Sequence, residues 1–175
     1  ADVIVLDVKT GKGSFMKTQE DAHELATEMV EIGKMAGKKT VAVVTDMDQP
    51  LGCAVGNALE VKEAIATLRG EFAGDLLELC LTLGGCILTA SGMADSDEQA
   101  REMLMETIHS GAALKKLAEF VEAQGGDPAS VYDPTMLPMA PVQMEVPAEQ
   151  AGYVSELDAL GIGMVSLKLG GGRAT

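Results

Sequence analysis

An α/β fold is predicted for this 175-residue chain: part of a mixed or parallel sheet flanked by helices, followed by the start of an α+β C-terminal domain. Three observations predict it. Residues 3–8 and 40–45 are short β-branched runs with one capped, amphipathic helical stretch between them. A strand–helix–strand unit of this kind closes as a right-handed parallel crossover. Several helical patterns then follow with no strand among them, and helices in such number normally cover the faces of a larger sheet. Finally, four of the six prolines (Pro134, Pro138, Pro141, Pro147) crowd together, which marks a boundary.

Each element has its own signal. The two β-branched runs read as buried strands. Thr18 with Asp21 forms a capping box, Ala22, Leu25, Ala26, Met29, Ile32 and Gly33 keep helical spacing, and Gly37 stops the helix. Asn57 with Glu60 is expected to cap the next helix, whose stripe is Ala58, Val61, Ala64, Ile65 and Leu68, ended by Gly70. Asp75 opens an apolar helix through Leu76, Leu79, Cys80, Leu83 and Ile87. Ser96 with Gln99 begins another, carrying Ala100, Met103, Leu104 and Ile108 and closed by Gly111. Ala113, Leu114, Leu117, Phe120 and Val121 define a last helix before Gly125 and Gly126. Residues 142–146 and 153–157 alternate like strands, and 160–169 is apolar. The expected organisation is therefore residues 1–132 as part of a central α/β domain, 133–147 as a Pro-rich boundary, and 148–175 as the start of an α+β domain. The chain begins without Met just before a strand and ends in a glycine-rich stretch, as expected of an internal piece of a longer polypeptide.

Composition narrows the function. The chain is 47% apolar but only 3% aromatic, with no Trp and 11 Met, so its core is aliphatic. RNA- and carbohydrate-binding platforms need stacking rings that are scarce here. Twenty-seven acidic against 13 basic residues give a net charge of -14, which repels phosphate backbones and argues against nucleic acid. Cys53, Cys80 and Cys86 are an odd set without CxxC spacing. Cys80 and Cys86 read as small buried hydrophobes in a reducing cytoplasm. No apolar run approaches the ~18 residues of a membrane span, and the first residues do not read as a basic-then-apolar leader.

Three motifs bear on chemistry. Gly11, Lys12, Gly13 and Ser14 invite a phosphate-loop reading but lack P-loop spacing, and a tight strand-to-helix turn explains them more simply. Their place is still suggestive, because ligands of open α/β sheets bind beyond the carboxyl ends of strands. Phe15, next in the chain, either covers a flat heterocycle or staples onto the following helix. The Gly- and Ala-containing turn after Pro50 lets carbonyls converge, and Glu63 lies about two turns into the helix that follows, at 3.6 residues per turn. Carbonyls with one carboxylate suit a weakly hydrated cation such as potassium, whereas a lone helical glutamate is ordinarily solvated. Glu60 reads as a cap residue. His23 and His109 read as surface residues, without metal spacing. No nucleophile elbow, HExxH or dinucleotide fingerprint occurs.

Residues 5–17 (VLDVKTGKGSFMK), 46–52 (DMDQPLG), 56–65 (GNALEVKEAI) and 169–173 (LGGGR) resemble the pyrimidine-nucleoside phosphorylases and their relatives, the thymidine phosphorylases. Residues 75–84 and 123–127 fit as well, and the similarity runs in order along essentially the whole chain. The resemblance implies a cytoplasmic homodimer with all-α, α/β and C-terminal α+β domains. Its substrates would be a pyrimidine nucleoside (uridine, thymidine or deoxyuridine) and inorganic phosphate. Phosphate attacks C1′ and the products are free base and pentose 1-phosphate. It implies that Phe15 lines the base pocket. It further implies that the backbone carbonyls of Leu51 and Ala54 and the carboxylate of Glu63 bind a structural potassium ion at the hinge, with no organic cofactor. The family's Ser-Gly-Arg-Gly-Leu-Gly-His-Thr-Gly-Gly-Thr signature, its Lys-His-Ser-Thr-Gly-Gly phosphate loop and its base-gripping Arg, Ser and Lys are absent from these residues, so no catalytic residue is assigned and the chain alone is expected to be inactive. Two alternatives are a non-catalytic binding or dimerisation module on the same scaffold, and a related phosphoribosyltransferase.

Overall fold

Steric preference of β-branched residues sets the first unit. In the computed structural model, which describes residues 1–171, strands β1 (Val3–Thr10) and β2 (Lys39–Asp46) pair in parallel. Val3 lies opposite Lys39 and Thr10 opposite Asp46. The connecting helix α1 (Gln19–Met35) starts at Thr18, whose Oγ1 accepts a hydrogen bond from the Asp21 N–H at 3.1 Å. It ends before Gly37, at φ +69°. The expected crossover is therefore present. Val8, Ala22 and Ala26 form its buried centre, packed by Leu6, Met16, Leu25, Met29, Ala42 and Val44. Alanines on the inner face of α1 let the helix lie close to the strands. At Gly33 the approach is closer still, because a Cβ there would meet Thr40 Oγ1 at 2.0 Å.

Helices α2 (Asn57–Leu68), α3 (Asp75–Ser91), α4 (Asp97–His109), α5 (Ala112–Ala123) and the single turn α6 (Ala129–Tyr132) follow. α3 packs on the strands and on α4. A second core of Ile65, Ala118 and Val131 joins α2, α5 and α6, with Leu114, Leu117, Val121 and Leu137 against it. The Arg69 guanidinium ties the end of α2 to α6 by donating to the carbonyls of Val131 (3.1 Å) and Tyr132 (2.7 Å).

The structure corrects several expectations. α2 is capped one residue earlier than Asn57: Gly56 is its N-cap, and Asn57 is the first helical residue, donating its N–H to the Gly171 carbonyl at 2.9 Å. Glu60 still serves the cap, accepting from the Gly56 N–H at 2.9 Å. On α3 the buried residues are Leu77, Leu81 and Gly85, while Cys80 and Ile87 are exposed. Apolar side chains surround this helix, so periodicity alone could not select the inward face. On α5 Ala118 is buried and Phe120 is exposed, because the close contact with α2 accepts only a small side chain. The α6 turn and the 3-10 turn Pro134–Met136 were not anticipated.

Residues 142–146 and 153–157 form no strand, and Val142, Met144, Val146, Tyr153 and Val154 are exposed. Alternation needs a partner strand to become a ladder, and none lies beside them among the described residues. The apolar run 160–169 becomes helix α7 (Ala159–Lys168). Residues 172 and 173 of the LGGGR stretch lie outside the described residues.

Candidate functional site

Two loops leave the carboxyl ends of the parallel strands, where ligands of open α/β sheets collect. The first follows β1. The N–H groups of Gly11, Lys12, Gly13 and Ser14 donate to Met16 O, Asp48 Oδ1, Met47 O and Gly11 O at 3.0, 2.8, 2.9 and 3.1 Å. All four amides are engaged within the protein, so this segment is a tight turn rather than an anion cradle. The Lys17 ammonium donates to the carbonyls of Lys12 (2.9 Å) and Ser14 (2.6 Å). Lys12 pairs with Glu156, and that hydrogen bond and charge raise its pKa, with smaller contributions from Asp48 and Asp158. Both lysines thus have partners within the protein. Phe15 is 97% exposed, so its ring does not staple onto α1.

The second loop follows β2 and is held by carboxylates from two helices. The Gly52 N–H donates to Asp75 Oδ1 at 3.0 Å. Those of Cys53 and Ala54 donate to Glu63 Oε1 (2.7 Å) and Oε2 (2.9 Å). Glu63 therefore turns back beneath the loop instead of extending into solvent. Gly52 makes this approach possible, since its φ is +71° and a Cβ there would lie 2.7 Å from Glu63 Oε2. The carbonyls of Leu51 and Ala54 accept no hydrogen bond among the described residues. Each Glu63 oxygen receives one of these amides and retains lone-pair capacity.

The C-terminal segment closes on both loops. The Ala159 N–H donates to the Asp48 carbonyl at 3.1 Å, and Asp158 caps α7 through the Gly161 N–H at 3.1 Å. Sequence reasoning missed Asp48, Asp75 and Glu156 as organisers of these loops. Asp75 carried only the signal of a helix opener, which it also is, accepting from the Leu76 N–H at 2.8 Å.

Elsewhere, an apolar cleft of about 360 Å³ lies among α2, α3, α4 and α5, lined by residues such as Leu68, Leu76, Leu81, Leu104 and Ile108. Its lining includes no lysine, arginine or carboxylate, so it does not suit a nucleoside or an anion. Cys80 borders it, exposed rather than buried as expected, and the apolar surroundings push its thiol pKa up. Cys86 is half-buried and Cys53 exposed. His23 and His109 are exposed on α1 and α4. Among the described residues no cluster of three or more His, Cys, Asp or Glu is placed to hold a metal, and no helix is long and apolar enough to cross a membrane.

A parallel crossover with organised loops at its strand ends is the kind of frame on which open α/β domains build ligand sites. Residues 1–114 match the family described as glycosyl transferase family, a/b domain, and the chain belongs to that family. Over all 175 residues it is 55% identical to the pyrimidine-nucleoside phosphorylase of Bacillus subtilis (strain 168). It is 52% identical, again over 175 residues, to the pyrimidine-nucleoside phosphorylases of Staphylococcus aureus strains USA300 and NCTC 8325. These matches cover 100% of this chain and 40% of each relative, so the chain spans well under half the length of the curated relatives it matches.

Proposed function

We propose that this chain is the α/β part of an enzyme that phosphorolyses pyrimidine nucleosides such as uridine, thymidine or deoxyuridine, acting as a cytoplasmic homodimer. The observation that carries the reading is the 55% identity, over the whole chain, to a protein of that name. In the reaction a phosphate oxygen bonds to C1′ as the bond from C1′ to the base breaks, and the bonding pair leaves with the base. Such chemistry calls for positioned donors and closure of the site rather than a covalent nucleophile.

The residues present supply scaffold and positioning. Phe15, bare at a strand end, offers a ring face to a flat base. Leu51 and Ala54 would hold a potassium ion through their carbonyls and Glu63 through its carboxylate. The donor set fits: all ligands are oxygens, one carries charge, and the two carbonyls are without internal partners among the described residues. A bound potassium would supply a fixed positive charge that braces the hinge between lobes. Glu63 itself sets the loop by accepting the Cys53 and Ala54 amides.

Two measurements test this reading. A chimera in which this chain replaces the corresponding part of the B. subtilis relative should release uracil from uridine in a phosphate-dependent manner, while the 175 residues alone release none. A folded but inactive chimera refutes the phosphorylase reading, and release by the chain alone refutes only its inactivity in isolation. In addition, Tm should be higher in potassium chloride than in choline chloride at equal ionic strength, since a ligand that binds only the folded state stabilises it by mass action. Glu63→Gln should erase that difference. An undiminished difference in the variant removes Glu63 from the ion site.

A further inference from the structure

We infer that Asp75, at the start of α3, is a positioning residue for the cation loop, acting through a single peptide plane; the inference rests on the potassium reading above. A trans peptide holds the C=O of one residue antiparallel to the N–H of the next, and no cis peptide bond occurs among the described residues. Asp75 Oδ1 accepts the Gly52 N–H at 3.0 Å. The carbonyl of the same peptide belongs to Leu51, so it is turned away from Asp75. Leu51 O is one of the two carbonyls proposed as ligands, and no described residue donates to it.

The next two peptides are fixed by a different acid. Glu63 holds the Cys53 and Ala54 amides at 2.7 and 2.9 Å. The loop is thus clamped from two helices, with Glu63 on α2 fixing its middle and Asp75 on α3 fixing its entry. Gly52, whose N–H is the one Asp75 holds, lies at φ +71°, and without a Cβ it does little to stop the 51–52 peptide rotating once that amide is released. The hydrogen bonds of Asp75 among the described residues go to the Gly52 and Leu76 amides and to no proposed ligand atom. Its effect on the cation passes through the orientation of one carbonyl, as outer-shell partners orient metal ligands elsewhere.

Asp75 Oδ1 also accepts the Leu76 N–H at 2.8 Å, so its removal weakens the start of α3 whatever the loop does. The test must separate these effects. Thallium(I), a potassium mimic with an NMR signal, would be titrated into the full 175-residue chain and its variants, alongside Tm in potassium and choline chlorides. Asp75→Ala should raise the half-saturating thallium concentration by about tenfold or more, the usual cost of losing an outer-shell partner. Asp75→Asn keeps an acceptor oxygen and should restore most of the affinity. Ser96→Ala, which removes the α4 cap far from this loop, should lower Tm equally in both salts and leave the titration unchanged. If Asp75→Ala lowers Tm equally in both salts and binds thallium like the parent, Asp75 is only a helix opener and the inference fails while the ion reading stands. If the parent chain shows no response to either ion, both fail together.

Discussion

Gly33→Ala should destabilise the chain by about 3 kcal/mol, the upper part of the range for overpacking a closed interior, although alanine is the better helix former. Glycine costs a helix roughly 1 kcal/mol relative to alanine, so on propensity alone the substitution stabilises. The contact decides the sign. A Cβ on Gly33 would lie 2.0 Å from Thr40 Oγ1, 2.7 Å from Thr40 Cβ and 3.1 Å from Thr40 Cγ2. Thr40 is buried in β2, and a rotamer change does not move its Cβ. The last turns of α1 must then lift off the strand and loosen the packing around Leu25 and Met29. Urea denaturation of the variant measures the loss. Adding Thr40→Ala should recover only part of it, because the Cβ contact remains. A Gly33→Ala chain as stable as its parent would show that α1 does not lie this close to β2.

Gly52→Ala should cost about 2 kcal/mol and also weaken the response to potassium. An L-residue at φ +71° costs roughly 1–2 kcal/mol in the left-handed region. The new methyl would also stand 2.7 and 2.8 Å from the two Glu63 carboxylate oxygens. A flexible side chain can move away, but in doing so Glu63 releases the Cys53 and Ala54 amides. Hydrogen bonds to a charged acceptor contribute about 1.5–3 kcal/mol each when well shielded, and less at this exposed loop. Gly37→Ala is the matched control, with φ +69° and nothing within 4 Å of the added methyl. It pays the backbone cost alone. Faster amide exchange at Cys53 and Ala54 in Gly52→Ala but not in Gly37→Ala would show the carboxylate leaving. Equal destabilisation with unchanged exchange would mean that Glu63 does not hold the loop.

Much of the frame was legible because it is local. The Thr18 cap, the Gly37 stop, the Ser96 cap and the β-branched runs are each decided within a few residues, and each lies where its signal put it. Two kinds of feature escaped. One is the choice of face on an all-apolar helix: Leu77, Leu81 and Gly85 turn inward on α3 because the strands lie on that side. The other is strand formation at 142–146 and 153–157, where an alternating pattern has no partner among the described residues.

From the order of residues alone followed the parallel crossover, the place of its two loops and the prominence of Phe15 and Glu63. What only the tertiary structure decided is how those loops are held. Glu63 reaches back to Cys53 and Ala54, Asp75 reaches Gly52 from another helix, and Glu156 holds Lys12 from far along the chain. Caps and periodicities arise between near neighbours, whose geometry the backbone fixes. A carboxylate's choice among distant amides depends on where whole helices come to rest, and packing sets that.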